Sequence, residues 1–232
     1  PATGLRLRAD GVVVRTADGA IAAGRAWSTL PLGLLAKLAE ATPEVLDAAA
    51  GLETRALVLV YLVLDTDRYT GFDAHYLPGP ETPVTRLSEP KNYRDGDDPA
   101  GRTVLCAELP CALGDEHWTA TEAELGALVA RGLPAVGLPP VHPAAVEVRR
   151  LPHAYPIYRR GFEPAFAALD AWASSQPRLL TFGRQGLYAH DNTHHALAMA
   201  RAATTALRPG GGFDPAQWAT AREVFTHHIV ED

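Results

Sequence analysis

Apolar positions come in short alternations and runs, with a few helical stretches between them. Leu5-Arg6-Leu7-Arg8 alternates, and Gly11 to Arg15 is β-branched; both patterns suit strands. Ala17-Asp18-Gly19 is a turn signal, and Gly24 to Ser28 continues as a strand, so the N-terminus predicts a β-meander. Pro31 suits the first position of a helix to about Ala41, with Thr29 or Leu30 near its cap, and Pro43 starts another to about Ala50, closed by Gly51. Arg55 to Leu64 is the longest strand candidate and reads as central in a sheet. Phe72 to Leu77, Val84 to Leu87, Arg102 to Leu109 and Ala145 to Leu151 add further strands, with Ser88 to Tyr93 a loop and Asp95 to Gly101 a polar hairpin tip. Thr119 or Thr121 caps a helix that runs through Leu125, Leu128 and Val129 to Gly132, and Pro134 to Pro143 is a loop. Phe166, Leu169 and Ala173 recur at helical spacing, which predicts a helix over Phe162 to Ser174.

The C-terminal third is organised around Thr181 to Arg201. Leu179-Leu180-Thr181-Phe182 predicts a short buried strand. Gly183-Arg184-Gln185-Gly186 predicts a turn. Asp191-Asn192 supplies cap chemistry for a helix from about Thr193 to Leu207. Arg208 to Gly212 reads as a linker, and Asp214-Pro215 begins a last helix, Ala216 to about Ile229. A strand, a glycine turn and an exposed helix N-terminus make a seat for an anion or an electron-rich ring. A strand–turn–helix simply packed in a core is the plainer alternative.

Composition narrows the function classes. The chain has 232 residues, 47% hydrophobic and 21% charged, enough for one large or two small domains. The net charge of −6 comes without a basic block, so nucleic acid is not an expected partner. No apolar run approaches the roughly 18 residues of a membrane span. Two cysteines, Cys106 and Cys111, exclude a disulfide scaffold and favour a reducing compartment such as the cytoplasm. With no second pair they predict buried thiols, not zinc.

His190, His194 and His195 invite a metal reading, but no H-E-x-x-H or suitably spaced acid accompanies them, so no metal is expected. His227-His228 reads as a solvated helix end. No G-x-S-x-G is present to support a serine hydrolase. Tyr155 and Tyr158 flank Pro156, which stiffens the segment, and their rings would wall a flat substrate or pack in a core. Arg86 and Asn92 face inward or outward with equal chance.

Gly183-Arg184-Gln185-Gly186-Leu187-Tyr188, followed by Asp191-Asn192 and a small-residue helix, resembles the C-terminal flavin-binding segment of the FAD-dependent amine oxidase superfamily. Within it, protoporphyrinogen-oxidase-like and UDP-galactopyranose-mutase-like proteins are the nearest look. Ala26-Trp27-Ser28-Thr29-Leu30-Pro31-Leu32 is similar to that family's crossover near the flavin, and Ala154-Tyr155-Pro156-Ile157-Tyr158 to its aromatic-proline segment. The three stretches keep the family's order over nearly the whole chain. The resemblance implies an α/β (α+β) fold, the C-terminal portion of a two-domain FAD-binding protein. Residues 1–32 and 159–208 would belong to the FAD domain, 33–158 to a substrate domain with a mixed sheet, and 209–232 to a helical tail. It implies FAD as cofactor, with Thr29, Pro31, Gly183, Arg184, Gly186, Asp191 and Asn192 around it. Arg86, Tyr155 and Tyr158 would meet a small-molecule substrate. Arg184 would meet a phosphate or ring-edge oxygen, and Asp191 would act as a cap or as partner to a ribityl hydroxyl. No catalytic acid or base is implied. The family's G-x-G-x-x-G fingerprint is absent. The chain is therefore expected to be the C-terminal half of a longer protein, partnered by an N-terminal FAD-binding half. Hydride transfer to flavin is the expected chemistry. A mutase-like flavoenzyme without net redox change and a non-catalytic scaffold subunit are the alternatives.

Overall fold

The computed structural model describes residues 1–93, 96–210, 212–228 and 230. In chain order the elements are β1 (Ala2–Leu7), β2 (Val12–Thr16), β3 (Gly19–Ala23), β4 (Ala26–Ser28), α1 (Leu32–Leu38), α2 (Pro43–Ala50), β5 (Glu53–Leu64), β6 (Ala74–Tyr76) and β7 (Arg86–Ser88). After a 3-10 turn at Pro90–Asn92 come β8 (Thr103–Cys111), α3 (Glu116–Thr119), α4 (Glu122–Ala135) and β9 (Ala145–Ile157). The chain ends with α5 (Glu163–Ser175), β10 (Leu179–Thr181), α6 (Gly183–Gly186), α7 (Thr193–Thr205) and α8 (Pro215–Phe225). Two compact units result, one of Pro1–Glu53 with Tyr155–Asp232 and one of Thr54–Ala154. The expected mixed α/β architecture is present. Asp95 of the expected hairpin tip and Ile229 of the expected last helix lie outside the described residues.

The first unit holds two small sheets. β1, β2 and β3 form an antiparallel meander, with Val12 opposite both Leu7 and Ala23. Ala17-Asp18 makes the turn, and Gly19, at φ +134°, opens β3 instead of closing the turn. The expected strand at Gly24 to Ser28 starts only at Ala26 and leaves the meander: β4 pairs in parallel with β10, Leu180 opposite Trp27. That partner lies about 150 residues downstream, where no local pattern could announce it. Two apolar clusters hold the unit. Leu32, Ala36, Ala49, Leu169, Ala173 and Tyr188 join α1, α2 and α5. Leu180, Phe182, Met199, Ala203 and Trp218 join β10, α7 and α8.

The second unit is a five-stranded sheet in the order β6-β7-β8-β5-β9. β5 and β8 are antiparallel from Ala56 opposite Cys111 to Leu64 opposite Thr103, and their buried residues join Leu125, Val129 and Leu133 of α4 in one core. α4 begins with a full Thr121–Glu124 capping box. It runs past Gly132, where the sequence predicts its end. Gly132 is small because the helix passes close to Thr82: a Cβ there would sit 2.7 Å from Thr82 Oγ1. β9 continues past Leu151 through Pro152 and Pro156, which an edge strand tolerates because one side needs no ladder N–H.

A buried carboxylate ties the loops of this unit together. Glu89 is 2% exposed and accepts from Tyr69 N–H (2.9 Å), Thr70 N–H (3.2 Å), Thr103 Oγ1 (2.7 Å) and Asn92 Nδ2 (3.0 Å). Asn92 also donates to Phe72 O at 2.8 Å, so it clamps a loop instead of facing a cavity. Cys106 and Cys111 are buried free thiols, as the sequence suggests, and burial pushes both thiol pKa values up. Among the described residues, no helix is long and apolar enough to cross a membrane.

Candidate functional site

The site is built in the first unit where β4 and β10 end side by side. Parallel strands point their carboxyl ends the same way, and ligands of open α/β sheets collect there. β4 leads through Thr29 and Leu30 to Pro31, the residue before α1. β10 leads through Phe182 into α6, so the expected glycine turn is a single helical turn. Phe182 N–H donates to Ser28 O at 3.2 Å, and the Trp27 and Phe182 rings meet edge-on at 5.8 Å. The two segments therefore touch directly.

The glycines make that approach possible. Gly183 has φ +79°, a conformation that costs an L side chain about 1–2 kcal/mol. A Cβ there would lie 3.6 Å from Thr29 Cγ2. At Gly186 the space is tighter: a Cβ would sit 3.0 Å from Ser28 O and 3.6 Å from Thr29 Cα. Both glycines are buried. Thr29, Gly183 and Gly186 are thus brought together, with Pro31 two residues further along the crossover.

Arg184 turns back on its own segment. Its guanidinium donates through Nε to Asp191 O at 3.1 Å and through Nη2 to the same oxygen. It lies 5.0 Å over the Tyr155 ring. In this conformation Arg184 organises the 184–191 loop and the aromatic segment rather than presenting its fork to an anion.

Asp191 is the least satisfied group in the site. The residue is 1% exposed, and neither carboxylate oxygen has a hydrogen-bond partner among the described residues. Arg184 Nε stands 3.6 Å from Oδ1, an ion pair too long for a hydrogen bond. Burial raises the Asp191 pKa, while Arg184, His195 and His228 pull it down; the net direction is up. Asn192 caps α7, and its N–H donates to His195 Nδ1 at 3.1 Å in a reciprocal capping box. The N-terminus of a 13-residue helix with its positive dipole end therefore begins one residue after the buried carboxylate.

The tyrosines take structural roles. Tyr158 OH donates to Tyr188 O at 2.9 Å, and its ring lies 5.1 Å from Phe162 and 5.4 Å from Tyr188. Burial, with Tyr188 and Asp191 nearby, pushes the Tyr158 pKa up, so it stays a neutral donor. The pattern around Tyr188 gives it no role, and the structure does. Tyr188 is buried at φ +49°, with its hydroxyl 2.7 Å from Glu53 O and 2.8 Å from Ile157 O. The positive φ is held because this one side chain bridges three strands and loops. Tyr188→Phe should cost about 1–2 kcal/mol, because the single hydroxyl proton shared between these two partly buried carbonyls is lost. A urea titration of the purified protein measures it, and an unchanged midpoint would refute the bridging role.

Arg86 belongs to the second unit. Its guanidinium pairs with Glu108 on the neighbouring strand, with Nε donating to Oε1 at 3.0 Å. Among the described residues, no group of three His, Cys, Asp or Glu is arranged to hold a metal ion. His227 is exposed, but His228 is not the solvated end expected: its ring stacks on His195, centroids 4.3 Å apart.

No protein-family model matches the chain, and no curated protein matches it by sequence. Solved structures do. A reduced UDP-galactopyranose mutase superposes with a TM-score of 0.73 at 15% identity, over 96% of this chain and 49% of its own. A protoporphyrinogen oxidase-like protein from Exiguobacterium sp. 255-15 gives 0.57 at 17% identity, over 80% and 41%. Putrescine oxidase bound to putrescine gives 0.56 at 14%, over 98% and 48%. The chain spans about half the length of the structures it matches. At such identities the likeness establishes the fold.

Proposed function

This chain has the mixed α/β fold of the C-terminal part of FAD-dependent amine oxidase superfamily proteins, and we propose that it supplies one wall of the FAD site of a flavoenzyme. The observation that carries the reading is the buried Asp191 carboxylate, without hydrogen bonds among the described residues, beside the N-terminus of α7. A buried acceptor of this kind costs free energy unless something donates to it. The hydroxyls of a ribityl chain have that chemistry. The glycine cradle fits as well, since Gly183 and Gly186 leave backbone, not side chain, at the strand ends.

The roles of the chain's own residues follow. Thr29 and Pro31 form the crossover edge, and Gly183 and Gly186 let the two strand ends meet at backbone distance. Asp191 accepts from hydroxyls. The α7 N-terminus, capped by Asn192, stabilises negative charge placed before it by about 0.3–2 kcal/mol. Arg184 positions Asp191 and Tyr155. Bound there, FAD would supply the hydride-accepting centre, and the protein would supply orientation and a dry surround. Two parallel strands alone make an incomplete sheet, because parallel sheets are normally wider and covered on both faces. A dinucleotide-binding segment of the same protein is the proposed partner that completes it.

We favour an oxidoreductase acting on a small organic substrate. A mutase-like flavoenzyme without net redox change is the second reading, supported by the higher TM-score of the mutase structure. The test is the visible spectrum of the protein expressed from its whole reading frame, before and after anaerobic dithionite. A flavin spectrum that bleaches is expected. A folded, colourless protein that takes up no added FAD would sink both enzyme readings and leave a scaffold role.

Asp191 gives this reading a sharper form. Its pKa is raised in the folded chain, so the ionised form is penalised. That penalty is absent below the unfolded value near 4, grows as pH rises towards the folded value, and is complete above it. Asp191→Asn should therefore stabilise the cofactor-free protein at neutral pH, yet weaken flavin retention because an acceptor for ribityl hydroxyls is lost. Thermal melts with and without added FAD separate the two effects. A variant destabilised in both conditions would refute the assignment.

A further inference from the structure

We propose that residues 226–228, which follow α8, are a latch that closes on the N-terminus of α7 at neutral pH and is released by acid, with His228 as its tongue. The backbone carries the helical winding past Phe225: His227 N–H donates to Val224 O at 3.1 Å and His228 N–H to Phe225 O at 3.3 Å. His228 is thereby aimed at α7. Its ring stacks on His195 at 4.3 Å with planes 17° apart, and lies 5.4 Å from the Phe225 ring. On the other side His195 meets His194 at 4.0 Å. Three imidazoles are therefore in contact across two elements.

His195 cannot take a proton freely. Its Nδ1 accepts the Asn192 N–H, so protonation there breaks the capping box. The dipole end of α7 disfavours a cation at the same place. The charged and titratable groups that act on the stack are His194 on α7 and Asp191 on the preceding loop. Asp191 favours protonation of His195, whereas burial, His194 and His228 oppose it, and the net effect lowers the His195 pKa. His228 Nδ1 is buried and has no hydrogen-bond partner among the described residues, so a proton on it gains no acceptor there.

The sign follows from linkage. Docking is fully favoured where the His195 imidazole is neutral, above the ordinary value of about 6.5, and is lost as pH falls below it. Each unit of pKa depression makes opening about tenfold easier per proton taken up. The His228 ring covers His195, the third residue of α7, so its release would expose that ring at the helix N-terminus. The latch does not depend on the flavin reading, and its test uses the protein without added FAD.

Amide hydrogen exchange over residues 218–228, corrected for the intrinsic pH dependence of exchange, reads the latch directly. Protection should drop about tenfold or more between pH values about one unit above and one unit below the ordinary imidazole pKa. His228→Phe replaces the second imidazole with a ring whose face accepts a cation on His195, so it should hold protection across that range. His228→Gln, neutral and smaller, should lose the pH dependence as well. A wild-type tail protected equally at both pH values would overturn the proposal, as would a His228→Phe variant with the wild-type pH profile. Should either variant misfold, an NMR titration of the wild-type His195 ring decides: a depressed pKa supports the latch, and an ordinary or raised one refutes it.

Discussion

Glu89→Ala is expected to destabilise the chain by about 3–5 kcal/mol, because it strips the acceptor from four donors in a buried loop core. Glu89 holds together three stretches remote in sequence: the turn at Tyr69-Thr70, the 3-10 turn ending at Asn92, and the start of β8 at Thr103. Removing it leaves two backbone N–H groups and a hydroxyl without that partner, while the Asn92 amide keeps Thr70 O and Phe72 O, and unpaired buried donors cost more than a lost contact. In a protein of this size the change corresponds to a melting temperature lower by about 10 °C or more. Glu89→Gln keeps the size and one acceptor oxygen but turns a new donor towards existing ones, so an intermediate loss is expected. Thermal unfolding of both variants measures this. Equal stability of Glu89→Ala and wild type would show that water replaces the carboxylate at no cost.

Gly186→Val is the second large effect, and it bears on the proposed site. A Cβ at this position meets backbone on three sides: Ser28 O at 3.0 Å, Thr29 Cα at 3.6 Å and the Thr181 carbonyl carbon at 3.7 Å. Backbone cannot yield as a flexible side-chain end can. The cost is that of overpacking, about 1–3 kcal/mol, with Gly186→Ala at the lower end and Val at or above the upper. The segments forced apart are those proposed to flank the flavin. Gly186→Val should therefore lose flavin on gel filtration where Gly186→Ala retains part of it. The denaturation midpoint and the ratio of flavin to protein absorbance give the two readouts. A Gly186→Val protein with the wild-type midpoint would refute the close packing. One with a lowered midpoint but full flavin would place the cofactor elsewhere.

The outcome at individual residues shows what local pattern can carry. Thr121 and Glu124 announce their helix because the capping box is made within four residues. The apolar stretch Arg55 to Leu64 announces a central strand because burial on both faces leaves no polar alternation. Gly132 misleads: in sequence it looks like a helix stop, whereas its small size serves contact with Thr82. Asn92 and Tyr158 misdirect in another way. Both carry groups suited to a ligand, and both are engaged by neighbours distant in the chain. Tyr188 and Glu89 carry no local signal, because their partners come together only on folding.

The sequence by itself determined most element types, the apolar faces that would be buried, the absence of a disulfide framework, and the strand–glycine–helix order from Leu179 to Thr205. These follow from periodicity, caps and turn chemistry, which act over a few residues. Tertiary structure alone decided that β4 leaves the meander to pair with β10, that Gly186 lies against Ser28, that Asp191 is buried without a hydrogen bond, and that His228 stacks on His195. Each of these joins positions tens to more than a hundred residues apart, and the energy that selects them comes from packing and desolvation, which no short stretch of chain can encode alone.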